Sequence, residues 1–153
     1  MKTSTHQVLD IAKYFLTFNR EDESDEISNL KLQKLLYYAQ GFFLAIKDIP
    51  LFDEDIEAWT HGPVIPAIYH AYKHIGSGPI PVESGFNPET TLSAEVREIL
   101  DEVYDVFGQF SAWKLRNMTH QEQPWKEAYD KREGGVIPKD ALKVFFKKHV
   151  SDE

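Results

Sequence analysis

The stretch NLKLQKLLYYAQGFFLAI, Asn29 to Ile46, decides the fold. Leu32, Leu35, Leu36, Ala39, Phe42, Phe43 and Ile46 step by threes and fours, the spacing that gathers side chains on one face of an α-helix. Leu30, Tyr37, Tyr38 and Leu44 lie off that stripe, so the helix is apolar on more than one side. Such a helix is stable in water only when other elements surround it, which predicts that it is the centre of the domain. Ser28 or Asn29 offers an N-cap oxygen, and Ile49, Pro50 and the acidic residues 53–55 close the segment. The apolar run 35–46 is interrupted by Gln40 and falls short of the roughly 20 residues that cross a bilayer, so it reads as core.

Working outward, Ser4 and Gln7 have capping-box spacing, and Val8, Ile11, Ala12, Phe15 and Phe18 predict a first helix ending near Phe18. The run NREDESDE, residues 19–26, reads as a solvated loop, because the central glycine of a calcium loop is missing. Beyond the central helix, residues 56–60 alternate as a short strand, and Gly62 with Pro63 turns the chain into a third helix from about Val64. The Gly- and Pro-rich segment 76–91 contains Ile80 to Val82, expected to pair with 56–60 as a two-stranded ribbon. A fourth helix from Ser93 carries Val96, Ile99, Leu100, Val103 and Phe107 and stops at Gly108. Ser111 caps a fifth, Pro124 opens a short turn bearing Trp125 and Tyr129, and Pro138 starts the last helix. The expectation is a mostly α protein: one compact domain over 1–153, with six or seven helices around the central one and a single short β ribbon.

The composition, 42% hydrophobic and 27% charged over 153 residues, is that of one ordinary globular domain. Cysteine is absent, which removes disulfides, thiolate metal sites and cysteine nucleophiles and fits a reducing compartment. The first ten residues lack the apolar core of a signal peptide, so the expected location is the cytoplasm. With 17 basic and 25 acidic side chains the net charge is −8, which opposes contact with a phosphate backbone and favours a basic partner. No direct nucleic-acid or membrane binding is expected.

Chemistry finds little to build on. His70 and His74 have the i, i+4 spacing of metal ligands, yet the intervening residues lack the glutamate of H-E-x-x-H, and a third ligand would have to come from His61 or His120. Ser111 or Thr119 with His120 and Glu122 would need sequence neighbours to point at one another, and there is no G-x-S-x-G elbow or Gly-rich phosphate loop. The expectation is therefore no cofactor, no metal and no catalysis, the alternative being a small metal-dependent hydrolase or nuclease using His61, His70, His74 and His120. Aromatic residues make up 13% of the chain, and Tyr38, Trp59, Tyr69, Tyr72, Trp113 and Trp125 fall at element ends or off the main stripes, where Tyr and Trp serve as binding anchors.

Residues 29–36, N-L-K-L-Q-K-L-L, running on into Tyr37, Tyr38, Ala39 and Gln40, resemble the signature helix of the Panacea, or SocA-like, antitoxin family, also known as phage-associated GepA-like proteins. Pro50-Leu51-Phe52, Ile56-Glu57-Ala58-Trp59 and Gly62-Pro63-Val64, followed by Tyr69, resemble the second block of that family. Thr119, His120, Pro124 and Trp125 resemble the third, and His61 stands where the family usually shows a tyrosine or similar residue. The resemblance implies a helical domain that neutralises a toxin, encoded next to it, by direct contact, and in some relatives hands that toxin to a cellular protease. A protease adaptor or scaffold without a toxin is the further alternative. Some relatives carry an added DNA-binding segment, for which this sequence is expected to have no room. Within the motif blocks, Leu32, Lys34, Leu35, Tyr37, Gly62, Pro63, Val64 and Pro124 are expected to be structural, whereas Tyr38, Trp59, His61, Tyr69, His120 and Trp125 are the expected partner-binding surface.

Overall fold

A computed structural model describes residues 6–19, 27–82 and 85–150. The Ser4 half of the expected capping box and the acidic residues 20–26 lie outside them. Helix α1 (Val8–Leu16) follows Gln7, which makes no side-chain cap, and buries Val8, Ile11, Ala12 and Phe15 as their spacing requires. Helix α2 (Asn29–Lys47) is capped by Ser28, whose side-chain oxygen accepts from the Lys31 amide at 3.3 Å. Every residue from 31 to 40 is buried, on all sides of the helix. α1, α3 (Pro66–Tyr72), α5 (Ala94–Phe107), α6 (Ala112–His120) and α8 (Lys139–Val150) all pack on α2. The central helix is thus surrounded, as its two-sided apolar pattern demands.

Close packing of α8 on α2 depends on Gly41. A Cβ there would sit 2.2 Å from the Phe146 ring, so only hydrogen lets that ring lie across the helix. The rings of Tyr37 and Phe42 complete the seam at 5.7 and 4.8 Å from Phe146, and Tyr38, whose ring also meets Phe146, stacks on Phe107 of α5 at 3.9 Å.

The ribbon is present, but its partner is not the expected one. Strand β1 (Glu57–Trp59) pairs antiparallel with β2 (Gly62–Val64), Ala58 opposite Pro63. Thr60 and His61 form the turn. Closing a turn this short costs far less chain entropy than bringing residues 80–82 across some twenty intervening positions. The free edge of β1 is taken by residues 134–137, through Ala58 N–H to Gly135 O at 2.8 Å and Ile137 N–H to Ile56 O at 2.8 Å. Ile80 instead bonds back to Ile27 at 3.0 Å, and the Asn19 side chain ties both carbonyls.

β2 also displaces the start of α3, because Val64 and Ile65 are extended and the helix opens at Pro66. Among the described residues there are eight α-helices, the central one and seven others, as expected, although α4 (Pro88–Thr91) was not foreseen and the turn after Pro124 is a nine-residue helix, α7 (Gln123–Lys131). No helix of the described residues is long and apolar enough to cross a membrane.

Candidate functional site

The polar residues of α2 are as buried as its leucines. Asn29, Lys31, Gln33, Lys34 and Gln40 are each under a tenth exposed, and a buried polar group is costly unless bonded. Together they reach four other segments. The Asn29 amide donates to Tyr69 O at 3.2 Å, and Lys31 Nζ donates to Gly108 O at 2.6 Å. Gln33 accepts from the Ile65 amide at 2.8 Å. Gln40 accepts from Leu51 N–H and donates to Phe52 O, both at 2.7 Å. Lys34 Nζ donates to Pro63 O at 3.3 Å. These bonds fasten α3, the α5 terminus, the 51–52 loop and the β hairpin to one helix, which explains why polar residues occupy a core helix.

The third motif block is tied into the same place. Tyr37 and Tyr38 donate to the two carboxylate oxygens of Glu122, each at 2.8 Å. Burial raises Glu122 to about 7 against the lowering effect of those two hydroxyls. Burial likewise pushes both tyrosines up, with the Glu122 charge adding to it. Glu122 is also the N-cap residue of α7, and its carboxylate serves the tyrosines instead of the helix end. Pro124 then opens α7 and sets Trp125, whose Nε1–H donates to Trp59 O at 2.9 Å. His120 Nε2 donates to Thr60 O at 2.9 Å, an assignment that follows because a carbonyl only accepts. The Trp125 ring lies between His120, at 4.2 Å, and Tyr129, at 4.6 Å.

Gly62 is the point where the blocks meet. Its φ of +111° is disfavoured for any residue with a side chain, and a Cβ there would lie 2.6 Å from Lys34 Cε and 3.0 Å from Thr119 Oγ1. Burial, with the Arg116 charge adding to it, lowers Lys34 to about 7. His120 is lowered by burial and by the charges of Arg116, Lys34 and His61, while its bond to Thr60 opposes them.

The expected partner-binding residues therefore divide. Tyr38 is 1% exposed and Trp125 9%, so both lie in the core and not on an open surface. The reason is their hydroxyl and indole N–H, each of which finds its acceptor inside. Trp59, His61 and Tyr69 do come together, in an open cleft of about 480 Å³ between α2, the hairpin, α3 and α6. Trp59 and Tyr69 meet edge to face at 5.1 Å. His120 is half-buried and bonded to the turn at Thr60, outside the lining of this cleft. Trp113, one of the candidate aromatic anchors but not among the expected partner-binding residues, joins Trp59, His61 and Tyr69. It lines the cleft at 60% exposure, with the Arg116 guanidinium 4.4 Å from its ring centre. The only signal was an aromatic residue in a short helix off any apolar stripe.

His70 ends up on α3 and His74 in the 3-10 turn Lys73–Ile75, so the α-helical register that the i, i+4 spacing assumed does not reach His74. Among the described residues no three histidine, aspartate or glutamate side chains are grouped as a metal site requires.

The family described as "Antitoxin SocA-like, Panacea domain" matches residues 32–126, the span from α2 through the Pro124-Trp125 pair. The protein "Antitoxin SocA" of Caulobacter vibrioides (strain NA1000 / CB15N) is 34% identical over 111 residues, covering 65% of this chain and 58% of that protein. The chain thus aligns with less than two thirds of the relative's length. No solved structure matches.

Proposed function

We propose, from the premise that this chain belongs to the SocA-like, Panacea-domain antitoxin family, that it is an antitoxin that binds a protein toxin and silences it by sequestration. The observation that carries the reading is the pairing of a buried polar floor with aromatics that reach solvent, Trp113 exposed and Trp59 and Tyr69 half-buried. Trp59, Tyr69 and Trp113 flank a cleft whose floor includes the buried Asn29 and Gln33 of α2. Rigid aromatic anchors over a preorganised base lose little entropy on binding and supply most of the affinity in protein interfaces. His61 stands exposed at the rim. Its departure from the family's usual residue sits where specificity for one toxin would be set.

The functional unit under this reading is the whole of 1–153. Support comes from α1 and α8, which lie outside the matched span yet pack on α2 and complete the core. The setting is the cytoplasm, and the toxin is the product of the adjacent gene. Co-expression tests this directly. The neighbour alone should arrest growth, and growth should return with this chain while toxin abundance stays unchanged. A harmless neighbour overturns the antitoxin reading. Rescue through loss of the toxin protein replaces sequestration with delivery to a protease.

A further inference from the structure

Arg116 is an anomaly in an acidic protein. Its Nε is buried with no hydrogen-bond partner, and its sole side-chain bond runs from Nη1 to Asn117 at 3.0 Å. None of the ion pairs among the described residues involves Arg116 or Lys34, although the sequence holds more carboxylates than cations. One face of the guanidinium is over Trp113, so what remains uncommitted is the edge carrying Nε and Nη2. That edge is the planar fork that matches the two oxygens of a carboxylate. His120 lies one turn along α6, on the same face. Lys34 and His61 bring two more basic groups to the same turn.

We infer that the surface where α6 meets the β1–β2 turn is a carboxylate-receiving site, with Arg116 as the contacting group, His120 and His61 at its edge and Lys34 beneath. The carboxylate belongs to a side chain of the bound protein partner, a clause that rests on the antitoxin reading. Arg116 is half-buried, so a change in its outer torsions presents the free edge to a group arriving from solvent. The arriving acceptor satisfies a buried donor that has no hydrogen-bond partner in the protein. A single carboxylate is favoured over a phosphate dianion because the surrounding molecule carries a net charge of −8, which repels the more highly charged ligand more strongly. Locally basic and globally acidic, the site orients a basic partner by one acidic side chain.

The test is a titration of the purified chain with sodium acetate and, separately, sodium phosphate, each exchanged against chloride at constant ionic strength. The Arg116 Nε–H and His120 ring signals are followed by NMR. Acetate should shift both saturably and raise the His120 titration midpoint, since an anion beside it favours the imidazolium. His74 should not move. Arg116→Gln should abolish the response. Arg116→Lys, which keeps the charge but loses the fork, should weaken it roughly tenfold, and it decides the matter if the glutamine variant fails to fold. A response no different from chloride, an equal response in the variants, or saturation by phosphate alone overturns the site. Toxin neutralisation by folded Arg116→Gln separates the two claims. Full neutralisation by a variant that has lost acetate binding removes the partner as the source of the carboxylate. Intact neutralisation by a wild-type chain that binds no acetate ends the site and leaves the antitoxin reading standing.

Discussion

Glu122 and Lys34 are ionisable side chains placed where ionisation is unfavourable, and each ties stability to pH in its own direction. Glu122 titrates at about 7 in the fold against an ordinary 4.5, so between those values the native state holds a proton that the unfolded chain has released. Stability therefore falls as pH rises from 4.5 to 7, by at most about 3 kcal/mol, and is level above. Glu122→Gln copies the protonated form, one oxygen accepting and one group donating to the two tyrosines. It should match the parent at pH 5, exceed it at pH 8 and remove the slope, as urea unfolding at several pH values will show. A parent with no slope over that window would refute the assignment. For Lys34 the sign reverses: the unfolded chain keeps its proton to 10.5 while the native state releases it from about 7. The penalty is whole below pH 7 and disappears as pH rises toward 10.5. Lys34→Met loses one long bond to Pro63 but removes a buried charge, and at pH 6 we expect it to be more stable by about 1–3 kcal/mol. A variant that melts earlier than the parent at pH 6 would show that the ammonium is stabilising where it sits.

At the level of elements, the hairpin and the α2–α8 seam each turn on one glycine. Gly62→Ala imposes a disfavoured φ and drives a methyl into Lys34 and Thr119. It should cost at least about 2 kcal/mol, with the added signature that hydrogen exchange quickens at Ala58 and Ile137 as the hairpin loosens. An unaltered melting temperature would mean that the turn shifts freely. Gly41→Ala meets the Phe146 ring directly and should cost about 1–3 kcal/mol, exposing α8 to proteolysis before the rest of the chain. Uniform proteolysis across the molecule would instead make α8 inseparable from the core. The helix α2 was readable to within a residue or so because seven of its positions, from Leu32 to Ile46, repeat one strong period over four turns. The β pairing was not, since residues 56–60, 62–64 and 80–82 are all short and extended, and pattern alone cannot choose among edges. Turn length and the second edge supplied by 134–137 made that choice.

Across the whole molecule, the motif residues sort into an inner frame and an outer face, and substitutions should divide in the same way. Tyr38→Ala and Trp125→Ala remove core rings and their bonds, and should each cost about 3–5 kcal/mol of stability and lose neutralisation through unfolding. Trp113→Ala and Tyr69→Ala, at the cleft, should leave the melting temperature nearly unchanged and weaken toxin binding by about 30-fold or more. If the cleft variants neutralise as well as the parent, the binding face lies elsewhere. Sequence alone determined the helical class, the surrounded central helix, the absence of thiol chemistry and the family, because these follow from periodicity, composition and ordered local motifs. Tertiary structure decided which of those motif residues face inward. Tyr38 and His61 are both amphipathic residues at motif positions, and nothing in their neighbours' identity tells them apart. One is buried because Glu122, 84 positions away, supplies a carboxylate for its hydroxyl, and the other is exposed because the tight turn at Gly62 leaves its side chain no interior to enter. Burial of a polar side chain depends on whether a partner from a distant segment arrives to satisfy it, and only the packed chain brings that partner near.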